Sequence, residues 1–291
     1  MATSGNTVLP VSETLQPFAE NSIPFYRFHL LSRFAELEHL VFTRLGGASL
    51  PPFASLNVSY DTGDEARRVR ENLRRIRNAT DCSSFIYARQ SHSSNLAVLR
   101  QYPHFDPQVE YPLHGKDGFF TQLPGLLMMI KVADCQAILL YDPARKVAGI
   151  IHAGWRGSVK NIPAKAIQLM VTQYNSNPPD IIAGIGPSLG PCCSEFRNWQ
   201  QELPPNFSRF QVSANHFDFW AITQLQLIES GVLKKNIEIA GLCTKCHPEL
   251  FYSYRGEGKT GRFAVAVGIK DISIQRSKAP QELQRALRRT D

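Results

Sequence analysis

Three residues of this chain carry metal-binding side chains at the ends of apolar runs. They are His92, closing IYARQSH, Cys135, opening CQAILL, and His152, closing VAGIIH. Side chains of an extended strand alternate between its two faces. His92 then shares a face with Ile86, Ala88 and Gln90, Cys135 with Ala137 and Leu139, and His152 with Ala148 and Ile150. Each candidate sits on the apolar side of its strand, so one core edge can gather all three. Two imidazoles and a thiolate suit zinc in a catalytic site, where three protein ligands leave a fourth position open. Copper accepts the same donors. A metal-free alternative makes Cys135 a nucleophile and His152 its base. Histidine and cysteine at strand ends also serve ordinary packing, so periodicity alone leaves these readings open.

Around the histidine lies GIIHAGWRG, with Trp155 and Arg156 between Gly154 and Gly157. Its glycines leave room for a substrate to approach the backbone, and Trp155 reads either as a core wedge or as a platform for a stacked base. Arg44 precedes Gly46 and Gly47, and GIGPSLG offers backbone N–H groups that can cradle an anion. Arginine holds phosphate through paired hydrogen bonds. None of these glycine clusters has the spacing of a P-loop or a dinucleotide fingerprint. The louder motif is CTKCH, residues 243–247, which fits a haem-attachment pattern. That chemistry belongs to exported chains, and the N-terminus shows no export signal. A structural zinc on Cys243, Cys246 and His247 lacks an obvious fourth ligand, and Cys192 and Cys193 read as packing.

Placing these groups is the task of a mixed set of elements. Residues 39–47 read as a strand entering a glycine turn, and 65–78 as a helix with Val69, Leu73 and Ile76 on one side. Residues 85–101 read as two strands around a polar turn. DGFFTQ, GLLMMIKV, CQAILLYD and KVAGIIH then read as four strands separated by turn residues. A helix follows over 161–175 with Pro163 in its first turn, then a strand at 180–190 and a helix over 216–230. IEIAGLCT, FYSYR and RFAVAVGI read as late strands, and the tail from 279 as helix. This irregular order predicts an α+β fold, a single domain of mixed β-sheets flanked by helices, rather than a doubly wound sheet. Residues 1–24 read as a loose lead-in, and no internal repeat or Pro/Ser linker divides the rest.

Composition narrows the function classes. The chain has 291 residues, 43% hydrophobic and 20% charged, ordinary for a folded globular protein. Lys131 and Asp134 interrupt its longest apolar stretch, which is too short and too charged for a membrane span. The expected compartment is the cytoplasm, where the six cysteines serve as thiols or ligands rather than disulfides. The net charge of +7 gathers in two helical stretches, 67–78 and 276–291, with solvated outer faces. No recognition motif accompanies it, so nucleic acid is not the expected partner. The oligomeric state is unknown at this stage.

Taken in order, TRLGGAS…PFASLN, ARQSH, DGFFTQLPGLLMMIKVADCQAILLYD, VAGIIHAGWRG, GIGPSLGPCCSEF and FYSYRGEGKTGRFAVAVGI resemble the YfiH-like, laccase-domain family over residues 39–270. Its members are labelled purine nucleoside phosphorylase, polyphenol oxidase or peptidoglycan editing factor. The resemblance implies a layered α/β/β/α fold like that of a bacterial deamidating toxin domain, with an N-terminal lead-in (1–38), a catalytic domain (39–270) and a basic helical tail (271–291), and one zinc on His92, Cys135 and His152. It also implies phosphorolysis of adenosine, inosine, guanosine or methylthioadenosine, with deamination of adenosine. Purine nucleosides and phosphate are then the expected partners, and zinc is preferred to copper. On that basis Cys135, His152 and Asp134 are the catalytic candidates, and Arg44, Gln90 and Arg156 the substrate or phosphate holders. Ser93, Val132 and Lys116 stand where the family commonly carries Gly, Thr and Ala, which bears on substrate preference. The alternatives are an amide hydrolase editing cell-wall nucleotide-sugar precursors and a catalytically weak metal-binding protein. A laccase needs many histidine ligands, and this chain has eight histidines with two placed at one site.

Overall fold

The structure, a computed structural model, describes residues 13–102 and 113–271. The tail helix expected from 279, and most of the Pro- and His-rich stretch at 102–116, lie outside them. Two six-stranded sheets dominate. The first runs β1 (Leu15–Glu20), β2 (Ile23–Phe28), β3 (Leu37–Phe42), β16 (Phe263–Ile269), β9 (Leu126–Val132) and β4 (Ser84–Ile86). The second runs β15 (Ile237–Ile239), β12 (Ile182–Ile185), β10 (Gln136–Asp142), β11 (Val147–Ala153), β8 (Gly118–Thr121) and β6 (Leu96–Leu99). Both are mixed: β4 joins β9, β15 joins β12 and β6 joins β8 in parallel, and the other neighbours are antiparallel. Two short ribbons complete the strands: β5 (Ala88–Arg89) with β7 (Leu113–His114), and β13 (Gln211–Ser213) with β14 (His216–Phe217).

The layering follows from which residues share a core. Met128, Ile130 and Val265 of the first sheet pack with Ala137, Leu139 and Ile150 of the second, between the sheets. On the outer face of the first sheet, Leu40, Met129 and Ala266 pack on Val69, Leu73 and Ile76 of α1 (Ala66–Asn78). On the outer face of the second, Ile138, Leu140 and Ile151 pack on α3 (Ile162–Tyr174) and on Leu227 of α5 (Phe219–Glu229). The order is therefore helix, sheet, sheet, helix, and two shorter helices are α2 (Trp155–Val159) and α4 (Trp199–Glu202). β9, β10, β11 and β16 are buried along their whole length, which explains their near-continuous apolar sequences. α3 starts as its sequence predicts, with Pro163 in the first turn and the Asn161 side chain accepting from the Ala164 N–H.

Two segments differ from their sequence reading. Within the expected lead-in, β1 and β2 form a hairpin that extends the first sheet, turning at Asn21 and Ser22, both with positive φ. Asn-Ser is a weaker turn signal than Asn-Gly, although the required backbone is the same. FYSYR is not a strand. Its end begins a short helix, α6 (Tyr254–Glu257), because the Ser253 hydroxyl accepts from the Gly256 N–H and caps it. Among the described residues no helix is long and apolar enough to cross a membrane. The basic face of α1 is paired locally, with Glu71 bridging Arg74 and Arg75.

Candidate metal centre and its cavity

His152 is the penultimate residue of β11, and Cys135 immediately precedes β10. The antiparallel register sets Ala137 opposite His152 and Gln136 opposite Ala153, so both candidates fall at the same end of neighbouring strands. Their strand-mates Ala137, Leu139, Ala148 and Ile150 all lie in the inter-sheet core, as alternation requires. His92 arrives differently. Ile86 and Ala88 face the same core, but the strand has ended before His92, which takes a left-handed conformation (φ 54°). One ligand atom from each of His92, Cys135 and His152 lies within 4.8 Å of the other two.

Asp117 builds this junction, and the sequence reading did not single it out. Fully buried just before β8, it accepts from His152 Nδ1 at 2.8 Å. It also accepts from the Ser91 and Ser93 backbone N–H groups and hydroxyls, and from the His92 N–H. One carboxylate thus shapes the turn carrying His92 and fixes the ring of His152. With Nδ1 engaged, His152 offers Nε2 as its ligand atom, the arrangement that orients metal-bound histidines. The sequence signal was an acidic residue directly before an apolar strand, in KDGFF.

Charges in the cluster are strongly coupled. Burial pushes the Cys135 thiol up, but the His152 charge and hydrogen bonds from both imidazoles outweigh it and bring the pKa down to about 6. Burial opposes a charged His152, yet Cys135 and Asp117 together raise its pKa to about 9. Without a cation, the thiolate and imidazolium form an ion pair. A divalent soft ion fits in place of the shared proton, because it binds a thiolate and neutral imidazoles together. Gly154 supplies space for this packing. A Cβ there would stand 3.0 Å from Cys135 Sγ and 3.1 Å from His92 Cδ2. Gly154→Ala is expected to add about 1–3 kcal/mol of local strain and to weaken zinc binding by roughly tenfold or more. A competition titration with a chromophoric chelator checks this, and unchanged affinity contradicts it.

The three residues open onto a cavity of about 620 Å³, within the range of small-molecule sites. Trp155, Phe196, Phe219 and Tyr254 give it aromatic walls, and Lys131, Arg156, Arg255 and Arg262 line it with positive charge. Two carboxylates, Asp61 and Asp134, also reach it. Trp155 meets Phe196 edge-on, and the Arg156 guanidinium lies 4.3 Å from the centre of the Trp155 ring. Trp155 is thus both packed and presented to the cavity. Burial, the largest influence, lowers the Lys131 pKa to about 7.

The remaining sequence candidates divide. Gln90, Asp134 and Arg156 line the cavity. Gln90 spends its side-chain amide on the backbone N–H and C=O of Lys131. Asp134 accepts from the Thr244 and Ser253 hydroxyls and from the Arg255 N–H, tying the 244–255 loop to the β9–β10 turn. Arg44 is not among the lining residues. Its guanidinium is held by the Ala54 and Pro248 carbonyls and by Glu257, and lies over the Tyr252 ring. Lys131, Arg255 and Arg262 also line the cavity, and the sequence reading did not single them out because nothing in their own runs marks them as facing a pocket.

Known proteins share this arrangement of sequence and fold. Residues 38–270 match the family model described as multi-copper polyphenol oxidoreductase laccase. The purine nucleoside phosphorylase YlmD of Bacillus subtilis is 32% identical over 242 residues, covering 79% of this chain and 87% of that protein. The purine nucleoside phosphorylase YfiH of Escherichia coli is 30% identical, over 76% of this chain and 89% of that one. The crystal structure of YlmD from Geobacillus stearothermophilus superposes with a TM-score of 0.79 at 28% identity, covering 89% of this chain and 99% of that chain.

Proposed function

Because this chain belongs to the laccase-domain family that contains those purine nucleoside phosphorylases, we propose that it cleaves purine nucleosides with phosphate, using zinc held by His92, Cys135 and His152. One observation carries this reading: the three ligands open onto a cavity walled by aromatic rings and lined by three arginines, Arg156, Arg255 and Arg262. A purine needs flat apolar walls and phosphate needs positive charge, and this cavity offers both. The described residues hold one metal-ligand group containing histidine, and it has two imidazoles. That set is sparse for moving electrons through several copper ions. Zinc, which performs no redox chemistry, suits group transfer better.

When bound, the ion supplies a Lewis acid at the end of the cavity. The protein's own groups do the rest. Asp117 holds His152 in one orientation and keeps its Nδ1–H engaged. Trp155 and Phe196 form the wall on which the base is placed, and they exclude water from it. Arg156, with Arg255 and Arg262 beside it, draws phosphate toward the anomeric carbon and offsets its charge there. Asp134 acts as an orienter, since its carboxylate is occupied by three donors. Gln90 fixes the strand edge at Lys131. Adenosine, inosine, guanosine and methylthioadenosine are the substrates proposed, together with deamination of adenosine in the same pocket.

Incubation with adenosine, with and without phosphate, tests the reading. Free adenine and ribose 1-phosphate should form only with phosphate, and inosine in either case. Release of an amino acid from a cell-wall nucleotide-sugar precursor, with no nucleoside turnover, overturns it. The arginines give a finer test. Arg156→Ala should raise the phosphate KM by about tenfold or more, the loss of one charge-assisted contact. Arg44→Ala should instead lower thermal stability and leave the phosphate KM unchanged, because Arg44 braces two backbone segments, at Ala54 and in the 244–255 loop. The opposite pattern assigns phosphate to Arg44.

A further inference from the structure

Outside the cavity junction, four of the chain's six cysteines converge at a second place. The Sγ atoms of Cys192, Cys193, Cys243 and Cys246 all lie within 4.8 Å of one another. Cys246 Sγ is 3.6 Å from both Cys192 Sγ and Cys193 Sγ. A tetrahedral ion with bonds of about 2.3 Å to sulfur needs sulfurs about 3.8 Å apart. A disulfide would join one pair at about 2 Å and leave the other two cysteines unused.

The surrounding backbone is arranged for bound sulfur. The Cys246 and His247 N–H groups both bond the Cys243 carbonyl, closing a tight turn that turns the two sulfurs of C-x-x-C inward. Burial raises the Cys243 thiol, but the N–H groups of Gly190 and Cys246 and the neighbouring thiols bring it below its ordinary value. Burial and the surrounding thiols raise Cys192 and Cys193 instead. Four thiols are crowded within ligand distance of one another. His247, the sequence reading's third candidate here, turns away to Glu249. Cys192 and Cys193, read from the sequence as packing, supply the missing ligands.

We propose that Cys192, Cys193, Cys243 and Cys246 form a second metal site, a closed tetrathiolate centre for a structural zinc ion. Four protein ligands leave no open position, so this centre serves architecture. It joins two loops already in register: Ser188 N–H bonds the Leu242 carbonyl, and Thr244 N–H bonds the Ser188 carbonyl. The first loop carries Leu189, Ser194 and Phe196 to the cavity, and the second carries Tyr254 and Arg255. The second also carries Thr244 and Ser253, which hold Asp134. The ion would staple one wall of the cavity.

The full-length protein, purified without added metal under reducing conditions, should contain close to two zinc ions per chain by elemental analysis. Cys243→Ser with Cys246→Ser should lose one and keep the other, and Cys135→Ala should show the converse loss. Cobalt substitution should give intense sulfur-to-cobalt absorption that survives Cys135→Ala and disappears in the double variant. If the double variant fails to fold, wild-type alkylation decides. With zinc bound, Cys192 and Cys246 should resist native alkylation although both are exposed, and a chelator should release them. A single zinc after reconstitution, free alkylation of these thiols, or a Cys192–Cys246 disulfide in the native protein each overturns the proposal. Iron in place of zinc overturns the assignment of the ion.

Discussion

Cys135→Ala is expected to empty the cavity metal site and reduce nucleoside phosphorolysis by about 10³-fold or more, with the fold retained. Removing one of three protein ligands leaves two imidazoles, a set that rarely holds zinc at cellular concentrations. The thiolate is also the centre of charge in the cluster. Its negative charge raises the His152 pKa, and its own pKa falls to about 6. Alanine removes that charge and leaves a shallow space at a partly buried strand end, a modest cost to stability. The measurements are zinc content of wild type and variant purified without added metal, phosphate-dependent release of base, and circular dichroism. Because the second cluster is separate, the variant should keep its own zinc and lose the cavity ion. Unchanged metal content with full turnover would remove the central claim about this site.

Asp117→Asn should have the second largest effect, and it should reach both metal and fold. The buried carboxylate accepts from six donors on four residues. An amide keeps one acceptor oxygen and turns a donor toward groups that are themselves donors. Breaking such a network is expected to cost about 3–5 kcal/mol. Releasing His152 from its fixed orientation should weaken metal binding by about 10- to 100-fold. The pH dependence carries a further signature. Burial raises the Asp117 pKa, but hydrogen bonds from His152 and Ser93 and the His152 charge hold it well below the usual carboxylate range. A depressed folded-state pKa gives stability that is present above the unfolded value and lost as pH falls through the folded one. The wild-type protein should therefore lose stability below about pH 4, and this acid dependence should flatten in the variant. Glu71, held down to about 2 by its hydrogen bonds to Arg74 and Arg75, contributes to the acid arm of both proteins, so the Asp117 share is the difference between wild type and variant. Urea denaturation across pH tests this, and an unchanged acid arm contradicts it.

The convergence of His92, Cys135 and His152 was legible because its signals are local. Strand alternation depends on the pleat and on nothing distant, so Cys135 and His152 could be assigned to the inter-sheet face from their own runs. For His92 the same rule pointed the right way for a different reason, since its strand ends early and a left-handed turn completes the approach. Helices α1 and α3 were legible through apolar spacing and Pro163. The β1–β2 hairpin escaped because Asn-Ser is a faint turn signal, and FYSYR was misread because a serine cap overrides aromatic strand preference.

By itself, the sequence determined the α+β class, the buried central strands and the ligand types that meet at the cavity. Tertiary structure alone decided which partners those ligands have. Asp117 lies 35 residues from His152, and Cys192 lies 54 from Cys246. Arg44 and Arg156 look alike beside their glycines, yet one braces backbone and the other faces the cavity. Side-chain direction is set by the dihedrals of a few neighbouring residues and can be read along the chain. Hydrogen bonds and shared ligands form between segments that meet only when both sheets have closed.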